Sequence, residues 1–449
     1  MNKEAIKTIV LTLLVSSSVF LTWSIWTYSP NIETMDPKNL IPEVAISNKK
    51  QVSEIIKPSL IMFHDEENHY GSTSDETINM VLNEMSDWTF YDFKDVTSNV
   101  PAHKFQDFIH KTGMSELVFT DSIPFSLYRK VIKVEDRELR GDNIEFDRIL
   151  IGSGLENGEK NEVYFVSTEK QRIYKFSVSA SDLKDLARQM EEESKKLDHY
   201  KVIQVTASKY LYVPENKGQY YKYKYHAELL DVSKFKNALF PDPTVVKSDK
   251  TTRGEEFTDG STIMKVYNDK MVLEYVNPGL KYSYATALPD LIERSISFIN
   301  EHSGWEDSYR FAELNEEEQK SVFRLYVNGL PTFSDLGMSE IVLTWVDDEL
   351  SNYSRPYFSL DFAFQSEKNA VTLPSGEEIF QELKKSPEFE PEFEPELLQD
   401  LTIGYKMVKD MEETQSLFVS LEPAWFYKYD GKWEQFTSDQ NGGMGRGLE

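Results

Sequence analysis

The sequence predicts an α+β protein: a single N-terminal transmembrane helix followed by three extracytoplasmic α+β domains. Three observations predict it. The run Thr8–Tyr28 carries no charged side chain. Behind it, apolar residues at helical spacing and at strand alternation take turns along the chain. Hydrophobic residues make up 40% and aromatics 13% of 449 residues, with no cysteine, so the outer domains rely on packed cores rather than disulfides.

The anchor comes first. At helical rise, about 20 residues match the ~30 Å hydrocarbon core of a bilayer. Lys3 and Lys7 precede the run, while Ser29–Asp36 holds Glu33 and Asp36 and no basic residue. That asymmetry places Met1 in the cytoplasm and the bulk of the chain outside. Trp23, Trp26 and Tyr28 form an aromatic belt at the outer face. A cleaved signal peptide would need small residues around the cut. The run ends instead in Trp-Thr-Tyr-Ser-Pro, which favours an uncleaved anchor. Thr8, Thr12 and Ser16 share one helix edge, and Ser18 and Thr22 another. Such residues either pack against a neighbouring helix or bond back to their own helix; both readings are open.

The division predicted is 1–29 for the cytoplasmic start and anchor, 30–49 for a Pro-containing tether, and 50–180 for a first α+β domain. A second domain follows at 181–282, a third at 283–437, and a loose tail at 438–449. In the first domain, Leu60–His64 reads as a strand. Thr73 and Glu76 read as a capping box for a helix burying Ile78, Val81, Leu82 and Met85. Trp88–Val96 reads as a strand, and Pro101 opens a helix with Phe105, Phe108 and Ile109 inward. Leu117–Thr120, Arg129–Val134 and Arg148–Ile151 read as strands, and Val163–Ser167 with Arg172–Val178 as a hairpin.

Ser181–Tyr200 is the clearest soluble helix, with Leu183, Leu186, Ala187, Met190 and Leu197 in one stripe. Lys201–Pro214 and Gln219–Leu229 read as two antiparallel strands. A short helix, Val232–Leu239, runs into the Leu239–Pro243 turn. Glu255–Phe257, Ser261–Tyr267 and Met271–Val276 read as strands. A helix over Ala287–His302 opens the third domain, with strands at Ser321–Val327, Glu340–Asp347 and Tyr357–Phe364. A helix at Gly376–Lys385 and the acidic run Pro387–Glu396 precede strands at Leu401–Lys409, Gln415–Leu421 and Ala424–Tyr429. The element order of the last two domains repeats, so they read as domains of similar topology.

The net charge of −27 argues against nucleic acid as a partner. Fragments that imitate catalytic motifs do not assemble into one. Ser47-x-x-Lys50 and Lys111-Thr112-Gly113 match pieces of penicillin-binding enzymes, but they lie too close together and lack the connecting motif. His64-Asp-Glu-Glu-Asn-His69 is the densest metal-capable group. It lies in a loop, where its two histidines have no enforced common face, and reads as a solvated acidic turn, with weak Zn or Ca binding as the alternative. Tyr220–Tyr225 interleaves tyrosine and lysine. As a strand it sets Tyr221, Tyr223 and Tyr225 against Tyr220, Lys222 and Lys224. This pass yields no catalytic residue, no metal ligand and no cofactor.

Five segments carry a resemblance: the MNKEAIKTIVLTLLVSSSVFLTWSIWTY start, the LFPDP turn, FTDGSTIM at Phe257–Met264, LEYVNP at Leu273–Pro278, and PAWFYKYDGKWEQF at Pro423–Phe436. In their order the chain resembles the YycH (WalH) family over nearly its whole length. The resemblance implies a non-enzymatic, membrane-bound regulator of the WalK (YycG) sensor histidine kinase, which governs cell-wall metabolism in low-GC Gram-positive bacteria. It implies a YycI-like partner, kinase contact through transmembrane helices, and three α+β domains. On the anchor, the contact face would be Thr8, Thr12, Ser16, Ser18 and Thr22, with membrane lipid around it. An anchored glycan-binding or wall-modifying protein is the alternative.

Overall fold

The computed structural model describes residues 17–18, 49–65, 68–135, 139, 144–152, 161–280, 288–302, 304–386, 393–410 and 417–437. Among the described residues no helix is long and apolar enough to cross a membrane. The expected anchor, tether and tail fall outside them, apart from Ser17 and Ser18, which are helical and exposed, and Lys49 at the tether's end.

The described strands build two sheets. The first has ten strands: β1 (Leu60–Asp65), β2 (Asn68–Ser72), β3 (Thr89–Asp95), β4 (Met114–Pro124), β5 (Lys133–Val134), β6 (Glu145–Gly152), β7 (Glu162–Ser167), β8 (Arg172–Ser177), β9 (Asp198–Gln204) and β10 (Tyr210–Pro214). Their spatial order is β10-β9-β2-β1-β4-β6-β7-β8-β3-β5. The second sheet takes β11 (Gly218–Leu229), β12 (Lys247–Thr251), β13 (Gly254–Thr258), β14 (Ile263–Tyr267), β15 (Val272–Val276), β16 (Tyr309–Asn315) and β17 (Lys320–Val327). It continues with β18 (Leu330–Phe333), β19 (Glu340–Val346), β20 (Glu349–Pro356), β21 (Phe358–Leu373), β22 (Leu398–Lys409), β23 (Phe418–Tyr429) and β24 (Lys432–Gln435).

Local signals hold where the element is short-range. The helix Asp75–Asp87 buries Ile78, Val81 and Met85, with Leu82 half-buried. Its cap is Ser74, not Thr73: Ser74 Oγ accepts the Glu76 N–H at 3.2 Å. The helix Gly376–Leu383 carries the reciprocal box, Ser375 with Glu378. The Pro101 helix begins as a 3₁₀ turn, Ala102–Lys104, before Phe105–Ile109, with Phe105 and Ile109 buried.

Other elements differ from expectation. Of the expected strand Arg129–Val134 only Lys133–Val134 pairs; the residues before it follow a helical turn, Phe125–Tyr128, in which Phe125, Leu127 and Tyr128 are buried. The long helix Ala180–Ser194 stops before Leu197, and Asp198 begins β9. That strand pairs with β2 and β10, so Lys201–Pro214 is two strands of the first sheet, while β11 pairs with β21 and β23 of the second. Strands β2, β12, β16, β18, β20 and β24 have no counterpart in the sequence reading. Segments such as Glu349–Pro356 are too polar to show a strand pattern, yet β20 lies between β15 and β19 and buries Tyr353 and Arg355.

The two sheets meet along β4 and β16. Thr120 Oγ1 donates to the Phe311 carbonyl at 3.2 Å, and the Leu314 N–H donates to Asp121 Oδ2 at 2.8 Å. Arg310, nearly buried, pairs with Asp75. The apolar core runs across this junction, from Ile61 and Leu117 on one side to Phe311 and Phe323 on the other.

Candidate functional site

A buried polar network sits beside the junction, built by five strands and one helix end. The β1–β2 hairpin register sets His64 directly opposite His69. Their Nδ1 atoms are 2.8 Å apart, so one proton lies between them. His64 is fully buried, and its Nε2 is 3.1 Å from Glu116 Oε2 on β4. Tyr212 on β10 donates its hydroxyl to the same oxygen at 2.6 Å. His110, at the end of the Phe105–Ile109 helix, stands 2.9 Å through Nε2 from that hydroxyl oxygen. Tyr212 gives its proton to a carboxylate, so His110 Nε2 is the donor to it.

The other oxygen of Glu116 is 2.8 Å from Arg148 Nε on β6, and Arg148 also pairs with Asp147 at 2.7 Å. Asp147 accepts the Thr168 N–H and hydroxyl at 2.7 and 2.5 Å. Burial pushes Glu116 upward, but the His64 hydrogen bond and the Arg148 charge outweigh it and hold the carboxyl below its usual range. Burial pulls His69 and His110 down to about 4, keeping both neutral at neutral pH.

This overturns the reading of His64–His69 as a loop with no common face. Asp65 and Asn68 also pair, so the strands run to the tip and the alternation puts both histidines on one side. Sequence reasoning missed His110, Glu116, Arg148 and Tyr212.

The network opens onto a cleft of about 830 Å³ between the sheets, lined by Glu116, Arg148 and Tyr212 at one end. Tyr200 and Tyr210 face it from the first sheet, and Tyr220, Tyr221 and Tyr223 from the second. The expected alternation in β11 breaks here: its register against β21 shifts between Tyr221 and Tyr223, bringing Tyr220 to the cleft as well. Lys222 and Lys224 pair with Glu422 and Asp410, both at 2.9 Å. Burial raises Asp121 to about 6 and Asp400 above its ordinary value, and lowers Lys209. The cleft can hold a polar ligand against aromatic faces, while Glu116 and Asp147 are committed to Arg148.

The proposed anchor residues Lys3, Lys7, Thr8, Thr12, Ser16, Thr22, Trp23, Trp26 and Tyr28 lie outside the described residues; Ser18 is helical.

The model of the N-terminal domain of the YycH protein matches residues 4–195, and that of its C-terminal domain matches residues 208–443. The chain belongs to the YycH family. A YycH relative from Bacillus subtilis (strain 168), the "Two-component system WalR/WalK regulatory protein YycH", is 24% identical over 457 residues, covering 98% of this chain and 97% of that protein. The crystal structure of YycH from Bacillus subtilis superposes with a TM-score of 0.74 at 21% identity, covering 89% of this chain and all of that one. The YycH fold therefore extends across both sheets.

Proposed function

We propose that this chain is a non-enzymatic regulatory protein of a WalR/WalK-type two-component system. The observation that carries the reading is coverage: both halves match YycH domain models, and the regulatory relative aligns over 98% of the chain. In this reading Thr8–Tyr28 is an uncleaved single-pass anchor with a cytoplasmic N-terminus and the folded bulk outside. Thr8, Thr12, Ser16, Ser18 and Thr22 pack on the helices of a WalK-type sensor kinase, and a YycI-like protein joins the assembly. Packing that favours one kinase state by ~1–3 kcal/mol changes activity several-fold to a hundredfold. The three-domain division and the similar topology of the last two domains belong to the same proposal.

The test is a detergent pull-down from native membranes. Full-length protein is compared with a variant whose Thr8–Tyr28 is exchanged for an unrelated spanning helix. Kinase retained by the native anchor and lost with the exchange supports helix-mediated regulation. Kinase absent from both defeats it. The tyrosine-lined cleft favours a second reading, anchored glycan binding, which predicts saturable binding of a soluble N-acetylglucosamine oligomer.

A further inference from the structure

We propose that the His64–His69 pair, with His110 beside it, binds one borderline-soft divalent cation of the zinc class. The proposal does not depend on the regulatory reading.

The geometry carries it. A cross-strand register fixes two imidazoles with their Nδ1 atoms 2.8 Å apart. Two Zn–N bonds of about 2.0–2.1 Å at a tetrahedral angle span about 3.3 Å, so the rings need part by only about half an ångström to exchange the shared proton for the ion. The His110 ring centroid is 5.3 Å from that of His64 and 5.7 Å from that of His69. Imidazoles sharing one zinc ion have centroids roughly 5–5.5 Å apart, the separation that follows from the same bond lengths. As the side chains stand, no three metal-capable groups among the described residues present donors to one point. The ion is therefore held first by the His64–His69 pair and water, and a rotation of His110 adds a third donor.

The surroundings match that use. His64 Nε2 rests on the Glu116 carboxylate, and His110 Nε2 on Tyr212, itself bonded to Glu116. A far nitrogen tied to a carboxylate is how ligating histidines are oriented and made more basic. His69 is half-buried and gives access from solvent. Nitrogen donors select zinc, cobalt or nickel over magnesium and calcium. Arg148 neutralises much of the Glu116 charge, which weakens the pull of that carboxylate on a cation.

The test uses full-length protein in detergent, chelator-treated and then titrated with Zn²⁺ by calorimetry and with Co²⁺ by visible absorption, with Mg²⁺ as control. The expected result is one equivalent of Zn²⁺, visible Co²⁺ bands, and no Mg²⁺ response. His69→Ala should lose binding at least tenfold, and His110→Ala should weaken it severalfold. His302→Ala, on the far lobe, should leave it unchanged. His69→Gln, with circular dichroism on every variant, separates lost ligation from lost folding. Zinc bound equally by wild type and His69 variants, or not bound at 100 μM, overturns the proposal.

Discussion

Leu314 donates its backbone N–H to Asp121 Oδ2 at 2.8 Å, tying β16 of one sheet to β4 of the other. Burial raises this carboxyl to about 6, against the lowering effect of its bonds from Leu314 and Ser122. A carboxyl raised on folding binds its proton more tightly in the native state. Its contribution to stability is therefore full below pH 4 and is lost as pH rises through 6. The Asp121 carboxyl ¹³C shift, followed against pH, should titrate with a midpoint near 6. A midpoint near 4 would show the junction to be open to water.

Glu116 has the opposite sign. Its carboxyl is held below the ordinary value, so its contribution is present above about pH 4.5 and disappears as pH falls through the native pKa. Glu116→Gln should cost about 3–5 kcal/mol at pH 7, because Arg148 loses a buried partner. Urea unfolding at pH 7 and pH 4 should show the gap between wild type and variant narrowing in acid. An equal gap at both pH values would rule out the charge as its source.

Ser295 is a hub inside the second sheet's helix layer. Its hydroxyl oxygen accepts from Trp345 Nε1 at 2.9 Å and from the Ser321 hydroxyl at 2.8 Å, while it donates to the Leu291 carbonyl. Ser295→Ala orphans two buried donors and should cost about 2 kcal/mol in urea unfolding. A loss under about 0.5 kcal/mol would mean the partners re-pair.

Gly329 and Gly337 both adopt left-handed backbone, with φ of +78° and +74°. A Cβ on Gly329 would stand 2.1 Å from the Thr73 carbonyl oxygen, whereas Gly337 faces open space. Gly337→Ala should cost about 1–2 kcal/mol, the left-handed penalty alone. Gly329→Ala should cost clearly more, because the β17–β18 turn must pull away from the segment before the Asp75–Asp87 helix. Equal losses in thermal melts would mean that this contact between the lobes yields freely.

Much of the fold was legible because its signals are local. The Glu162–Ser177 hairpin, the apolar stripe of Ala180–Ser194 and the Leu239–Pro243 turn each follow from spacing within a few residues. Strand β20 was not, because a polar strand between two neighbours is stabilised by partners far along the chain. The candidate site was half legible. His64 and His69 stood out as a motif, but the segment read as a loop, so their opposition came only with the β1–β2 register.

By itself, the sequence determined the α+β class, the YycH likeness and most helices, since periodicity and turn chemistry act over neighbouring residues. Tertiary structure alone decided that Asp198–Pro214 joins the first sheet, and that Glu116 meets Tyr212, His64 and Arg148 in one network. Those pairings join residues 32 to 96 positions apart. They arise from sheet register and burial, which fix where a side chain ends up only after the strands have found one another.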